Sequence, residues 1–146
     1  MKNLKIKKIN FIPGLGEKLK DYGVLSKYLN IVDVDWNDGK IKIGKVDILA
    51  GFSMGAVLAC EYSIKHKLKI LILCSTTPGA ETLKKVKADK VIFMAGEKEK
   101  WLIKDIKRIS KTLPKKTIRE IIIIPKADHK ITGNYLKELL STLKEC

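Results

Sequence analysis

Residues 46–59 constrain the fold of this chain more than any other part of the sequence. The first five, VDILA, have the length and hydrophobicity of a strand that is buried on both faces. The pentapeptide GFSMG at 51–55 follows directly and fits the pattern G-x-S-x-G, in which a serine lies at a sharp turn between a strand and a helix. The segment therefore predicts a strand, a tight turn and a helix in direct succession.

The residue types of this turn suit a reactive serine. A serine hydroxyl is a poor nucleophile unless it is held clear of the backbone and beside a base. The turn crowds the positions two before and two after Ser53, where Gly51 and Gly55 have no Cβ to clash. The helix that follows would direct its first N–H groups, including that of Met54, toward an oxyanion. The pentapeptide alone is also compatible with an ordinary strand-to-helix turn whose serine caps the helix.

The rest of the chain alternates between predicted strands and predicted helices. Besides the strand at 46–50, five segments are apolar enough for strands: 5–12, 30–35, 68–74, 90–95 and 120–124. Four segments are predicted to be helices, 18–29, 53–66, 101–113 and 134–143, and residues 78–87 are predicted to form a short helix or a helical turn. This alternation predicts a three-layer α/β/α sandwich around a mostly parallel six-stranded sheet. Because no linker, repeat or low-complexity segment interrupts the chain, we expect residues 1–146 to form one domain.

Polar residues follow three of the predicted strands. Ligands of open parallel sheets bind at the carboxyl ends of the strands, and Ser53 lies at such an end. The sequence GEKE at 96–99 follows the fifth strand, and His129 follows the sixth. This order of serine, acid and histidine is the one expected for a nucleophile on such a sheet. His66, between two lysines, is interpreted as a surface residue, and Asp128 as a turn residue.

These segments resemble the α/β-hydrolases over nearly the whole chain. Gly96 matches the glycine of the Gly-x-x-Asp-like turn that carries the acid in that family, and Glu99 stands at the position of the acid. Glu97 is the alternative acid. His129 matches the histidine, and the sequence FIPGLG at 11–16 resembles the His-Gly loop that follows the third strand of the family's fold.

The resemblance implies a role for each of these residues. Ser53 would be the nucleophile, His129 its general base, and Glu99 the acid that orients the histidine. The backbone N–H groups of Leu15 and Met54 would form the oxyanion hole. This chemistry requires neither a metal ion nor a cofactor.

The sequence departs from the family pattern in several places. Pro13 replaces the usual histidine of the loop, which is tolerable because the loop acts through backbone N–H groups. A glutamate replaces the usual aspartate as the acid. The first two strands of the full fold are missing, and residues 75–89 leave no room for the cap domain that the family often inserts there. The resemblance therefore implies a minimal, lidless hydrolase.

The charge balance and the length of the hydrophobic segments limit the classes of partner that this protein can have. The net charge of +14 comes almost entirely from lysine, since Arg108 and Arg119 are the only arginines. Lysine lacks the fork used for bidentate contacts, and no nucleic-acid-binding motif is present, so we expect no nucleic-acid partner. No apolar stretch reaches the roughly 20 residues of a membrane span.

The N-terminus and the cysteines point to a cytoplasmic protein. Lysines interrupt the N-terminal residues before the hydrophobic region of a signal peptide can form. The three cysteines, Cys60, Cys74 and Cys146, show neither metal-ligand spacing nor an even disulfide set. Reduced thiols fit the cytoplasm.

Two classes of function are compatible with these features. The first is a serine hydrolase of carboxylic esters or thioesters, acting on small acyl groups or on acyl groups presented by an acidic carrier protein, which would account for the lysine excess. The alternative is a non-catalytic relative that binds a ligand in the same pocket, or an amidase or peptidase with the same triad. The presence of all three of Ser53, Glu99 and His129 favours catalysis. The sequence leaves the oligomeric state open.

Overall fold

The computed structural model describes residues 9–17, 23 and 25–146. Its main sheet contains six strands: β1 (Ile9–Ile12), β2 (Leu29–Ile31), β5 (Ile48–Phe52), β6 (Leu68–Cys74), β7 (Ala88–Gly96) and β8 (Ile118–Ile124). They lie in the order β2-β1-β5-β6-β7-β8, and every neighbouring pair is parallel. The predicted six-stranded parallel sheet is therefore confirmed.

Helices cover both faces of this sheet. They are α1 (Met54–Lys65), α2 (Ala80–Leu83), α3 (Lys100–Ile109) and α4 (Gly133–Glu145), and a 3-10 turn at Ser110–Thr112 extends α3. Residues of α1, α2 and α3 pack with one set of strand side chains. Tyr135, Leu139 and Leu143 of α4 pack with the other set. This arrangement confirms the predicted sandwich of a sheet between two helical layers.

The central strands β6 and β7 are buried on both faces. Their sequences LKILILC and ADKVIFMAG are almost continuously apolar, as expected for strands between two layers of helices. Polar side chains appear as these strands end, so the sheet has polar groups at its carboxyl edge. The edge strand β8 is more exposed, and Ile118 at its start is 64% accessible.

The predicted strand at 30–35 is wrong in its second half. The chain leaves the main sheet after Ile31, and β3 (Val34–Asp35) pairs antiparallel with β4 (Lys40–Ile41) in a separate hairpin. The side chain of Asp35 accepts a hydrogen bond from the N–H of Asn37 at 3.0 Å, which starts the turn. Such local side-chain bonds favour a turn over a continued strand.

The predicted helix at 18–29 is wrong at its end. Residues 25–27 form a 3-10 turn, and Leu29 is already paired with Ile9 in the parallel ladder between β1 and β2. Leu25 and Leu29, whose spacing suggested a helix, are both buried in the core on one face of the sheet. Positions 18–22 and 24 of this prediction, and positions 5–8 of the first predicted strand, lie outside the described residues.

The connection between β6 and β7 is short. Residues 75–87 contain only the four-residue helix α2, so no cap domain covers the carboxyl edge at this point. Among the residues that the structure describes, no helix combines the length and the hydrophobicity needed to cross a bilayer.

Candidate active site

Ser53 lies in the sharp turn between β5 and α1. Its backbone angles, φ 56° and ψ −120°, are costly for a residue with a side chain and are held by the packing around them. Its N–H donates to the carbonyl of Cys74 at 2.8 Å. A Cβ placed on Gly51 would lie 2.6 Å from the carbonyl oxygen of Gly55 and 2.7 Å from Cα of Ala56. Only glycine therefore allows α1 to begin directly behind the strand.

Gly55 brings a second loop against the same turn. A Cβ on this residue would collide with the carbonyl oxygens of Ile12 and Pro13, so the loop after β1 rests on the first turn of α1. Glu17 fastens this loop, because its carboxylate accepts the N–H of Gly14 at 2.8 Å and its own N–H donates to the Gly14 carbonyl at 3.0 Å.

Leu15 and Met54, the two residues predicted to supply oxyanion donors, belong to these adjoining segments. Leu15 lies in the loop after β1, and Met54 is the first residue of α1. Both side chains are exposed, 65% and 46% respectively. The first N–H groups of a helix have no partner within the helix, and the positive end of the helix dipole lies there. An anion beside Ser53 would meet this end of α1.

Three side chains meet at the carboxyl edge of the sheet. Nε2 of His129 lies 3.1 Å from Oγ of Ser53, and Nδ1 of His129 lies 2.6 Å from Oε2 of Glu99. With a proton on Nδ1 donated to the carboxylate, Nε2 is free to accept the serine proton. The Glu99 side chain is only 9% exposed, whereas that of His129 is 50% exposed. The structure thus brings together the serine, acid and histidine that the sequence suggested.

The loop that carries His129 is held by main-chain contacts with the end of β7. A Cβ on Gly96 would collide with the carbonyl oxygen of Ala127, and the N–H of Lys98 donates to that same oxygen at 2.9 Å. The carboxylate of Glu97 accepts the N–H of Lys126 at 3.0 Å. Glu97 therefore binds the loop, while Glu99 lies against the histidine ring.

Ser75 and Tyr135 also belong to the site, although the sequence analysis missed both roles. The second carboxylate oxygen of Glu99 accepts hydrogen bonds from Ser75 Oγ at 2.6 Å and from the N–H of Gly96 at 2.9 Å. The hydroxyl of Tyr135 lies 2.7 Å from Ser75 Oγ and donates to the carbonyl of Met94 at 3.3 Å. The available signal was the position of Ser75, a polar residue that directly follows a buried strand.

Besides His129, the groups that hydrogen-bond to Glu99 are a hydroxyl and a backbone N–H, which carry no charge. Burial raises the pKa of Tyr135 above its ordinary value and raises the pKa of the Cys74 thiol to about 12, so both groups stay protonated. Within the described part of the chain, Glu99 forms no ion pair with a lysine or an arginine. An imidazolium formed at His129 is therefore the charge that the carboxylate faces.

Phe52 fixes the histidine ring from the side. Its ring centroid lies 5.0 Å from that of His129, at an interplanar angle of 37°, and 6.2 Å from that of Tyr135, in an edge-to-face arrangement.

Among the described residues, no group of three or more His, Cys, Asp or Glu side chains is placed to hold a metal ion.

Comparisons with known proteins give a match in structure alone. No family model matches the sequence, and no curated protein matches it significantly. A CIB-like hydrolase from Thermoplasma acidophilum matches with a TM-score of 0.65 and 12% identity, covering 99% of this chain and 87% of its own. SOBER1 from Arabidopsis thaliana matches with a TM-score of 0.60 and 12% identity, covering 95% of this chain and 98% of its own.

A dienelactone hydrolase from Anabaena variabilis matches with a TM-score of 0.59 and 16% identity, and the match covers 82% of this chain. This chain spans about half of that enzyme, 49% of its length. All three proteins are α/β-hydrolase superfamily members. Together with the sheet order and the turn at Ser53, these matches show that the chain has the α/β-hydrolase fold.

Proposed function

We propose that this protein is a serine hydrolase that cleaves carboxylic esters or thioesters. The observation that carries the proposal is the hydrogen-bonded series from Ser53 Oγ through His129 to Glu99, with separations of 3.1 and 2.6 Å. Such a series activates a serine hydroxyl, because the histidine accepts the proton as the oxygen attacks. The esterase and hydrolase names of proteins with the same fold are consistent with it.

The reaction follows from the positions of these groups. Ser53 Oγ attacks the acyl carbonyl carbon while His129 Nε2 takes its proton, and Glu99 stabilises the imidazolium. The N–H groups of Met54 and Leu15 stabilise the oxyanion, at about 3 kcal/mol per donor. As the intermediate collapses, His129 returns the proton to the leaving alcohol or thiol. Water then attacks the acyl-enzyme in the same way and releases the carboxylic acid.

The open edge of the sheet limits the substrate class. With only residues 75–87 between β6 and β7, nothing in this connection encloses an acyl chain. This favours small acyl groups, or an acyl group presented at the surface by an acidic carrier protein that the net charge of +14 would attract. The carrier proposal predicts that the rate on carrier-bound acyl groups falls as salt rises. A rate independent of salt would contradict it.

Two alternative functions use the same residues. An amidase or peptidase would employ the same triad on a poorer leaving group. A binding protein with this fold would have no need of an activated serine. A fluorophosphonate probe separates the binding protein from the enzymes, because it labels Ser53 only when the serine is activated.

Hydrolysis of a p-nitrophenyl ester series, from acetate to decanoate, tests the proposal. The wild type should be active, Ser53→Ala inactive, and Ser141→Ala, which removes an exposed serine from α4, unchanged. The chain-length preference then defines the acyl pocket. Absence of both hydrolysis and probe labelling in the wild type would refute the proposal and favour the binding protein. Labelling without turnover of these esters would instead indicate a narrower substrate.

A further inference from the structure

The positive charge of this protein is concentrated in one segment. Residues 98–119 contain nine lysines and arginines and two acidic residues, a net charge of +7 out of +14 for the whole chain. This is half of the charge in 22 of the 146 residues. One of the two acids is Glu99, which lies against His129. A uniform lysine-rich surface does not account for this concentration.

The segment forms a groove between the end of α3 and the start of β8. The groove has a volume of about 570 Å³ and is lined by Lys107, Arg108, Ser110, Lys111, Arg119 and Ile121. Both arginines of the chain are therefore in one place, with two lysines beside them.

The acidic residues nearest in sequence do not neutralise the groove. Asp105 approaches Arg108 at 3.5 Å, but both side chains are at least half exposed, and such pairs are weak. Glu120 precedes Ile121 and, because side chains alternate along a strand, lies on the other face of the sheet. There it pairs with Lys90 at 3.0 Å.

The side chains that line the groove suit the phosphate groups of a small molecule. Arginine presents a planar fork that binds two phosphate oxygens at once, and lysine adds a point charge.

The groove lies at one end of α3 and β8, and Glu99 and His129 lie beyond the other end of these two elements. Arg119 precedes Ile124 by five residues, about 17 Å along β8, and His129 follows the end of that strand. The ten residues of α3 span about 15 Å, and Trp101, 84% exposed, lies near the end that adjoins Glu99. Ser53 directly follows β5, three strands across the sheet from β8, which adds about 14 Å sideways. A substrate that reaches both places therefore needs a flexible arm of about 22 Å between its phosphates and its acyl group.

We propose that the groove binds the phosphate groups of an acyl thioester whose long arm places the acyl carbonyl at Ser53. This inference rests on the proposed function and adds the class of leaving group. The thiol released in the reaction would carry the arm and the phosphates, and these remain bound at the groove until the product dissociates.

Calorimetric binding of coenzyme A to Ser53→Ala tests the inference without any turnover. Coenzyme A carries phosphates on a long thiol arm, and pyrophosphate serves as the probe without the arm. We expect coenzyme A to bind more tightly than pyrophosphate at physiological salt. Adding Arg108→Ala and Arg119→Ala to the Ser53→Ala variant should weaken the binding of coenzyme A at least about tenfold, because each substitution removes charge-assisted hydrogen bonds.

A matched control removes two charges elsewhere. Lys45→Ala with Lys137→Ala takes the same charge from exposed positions outside the groove, and it should leave the affinity nearly unchanged. An equal loss in this control would show general attraction to a basic protein and overturn the inference. Equal affinity for pyrophosphate and coenzyme A, or binding of an acidic carrier protein but not of coenzyme A, would also overturn it.

Failure of the inference and failure of the proposed function give different results. Hydrolysis of p-nitrophenyl esters by the wild type, without coenzyme A binding to Ser53→Ala, overturns the groove assignment alone. Arginine-dependent binding without any hydrolysis supports the groove and overturns the hydrolase.

Discussion

Replacing Ser75 with alanine tests how the carboxylate of Glu99 is held. Ser75 Oγ donates to Glu99 Oε1 at 2.6 Å, and the residue is 2% exposed, so it acts on the reaction only through the acid. A hydrogen bond to a charged group contributes about 1.5–3 kcal/mol. If the variant lost all of this free energy as stabilisation of the transition state, kcat would fall by between about tenfold and 150-fold.

The structure places the expected value at the lower end of this range. The N–H of Gly96 still donates to the same carboxylate oxygen at 2.9 Å after the change. We therefore expect kcat to fall about tenfold for a p-nitrophenyl ester. KM should stay within about twofold, because a buried residue behind the acid does not contact the substrate.

Ser63→Ala provides the matched control. Ser63 is also fully buried and donates its hydroxyl to a carbonyl, that of Cys60, at 2.6 Å, but it lies in α1 outside the Glu99 network. Both variants lose one buried hydroxyl, but only Ser75→Ala should lose activity. An unchanged kcat in Ser75→Ala, or an equal loss in Ser63→Ala, would refute the reasoning.

Three further predictions follow from the site and its core. Glu99→Gln should lower kcat by about 10³- to 10⁴-fold. Glu97→Gln loses only a contact with the loop, so its kcat should stay within a few-fold of the wild-type value. A larger loss in Glu97→Gln than in Glu99→Gln would mean that Glu97 is the acid. Gly55→Ala should destabilise the fold by about 1–3 kcal/mol in chemical denaturation, because its Cβ meets the loop after β1; an unchanged midpoint would contradict this. Burial raises the pKa of Cys60 and Cys74 to about 12 from 9.0, so the native state holds these protons more tightly than the unfolded chain. The two thiols should contribute fully to the free energy of unfolding below pH 9, and this contribution should be lost as the pH rises toward 12. The free energy of unfolding of the variant with Cys60→Ala and Cys74→Ala should therefore fall less steeply at alkaline pH than that of the wild type.

The parts of the fold that the sequence predicted well are those with unambiguous local signals. The strands β6 and β7 are long apolar runs, and the turn at Ser53 has glycines where a Cβ would collide. Since parallel strands end at one edge, polar residues that follow them could be placed near one another. Ser53, His129 and the segment 96–99 were placed at this edge in this way, and the resemblance to the α/β-hydrolases selected Glu99 within that segment.

The remaining features depend on contacts that no local pattern reveals. The hairpin of β3 and β4 has two residues on each side, too few for a periodic signal. The role of Ser75 depends on its left-handed backbone, φ 52°, and on the hydroxyl of Tyr135 from a helix 60 residues away. The basic groove forms only when Arg119 of β8 is brought beside Arg108 of α3.

The glycine contacts around the site have a consequence for how its selectivity can change. Gly55 and Gly96 locate the two loops through main-chain atoms, so no substrate-facing side chain is needed to hold them. Leu15, Met54 and Trp101 are exposed apolar residues of the segments that adjoin Ser53 and Glu99, and they carry little of the scaffold. Under the proposed function, natural drift or directed evolution could exchange these three side chains and change the acyl preference, while the backbone keeps Ser53, His129 and Glu99 in place.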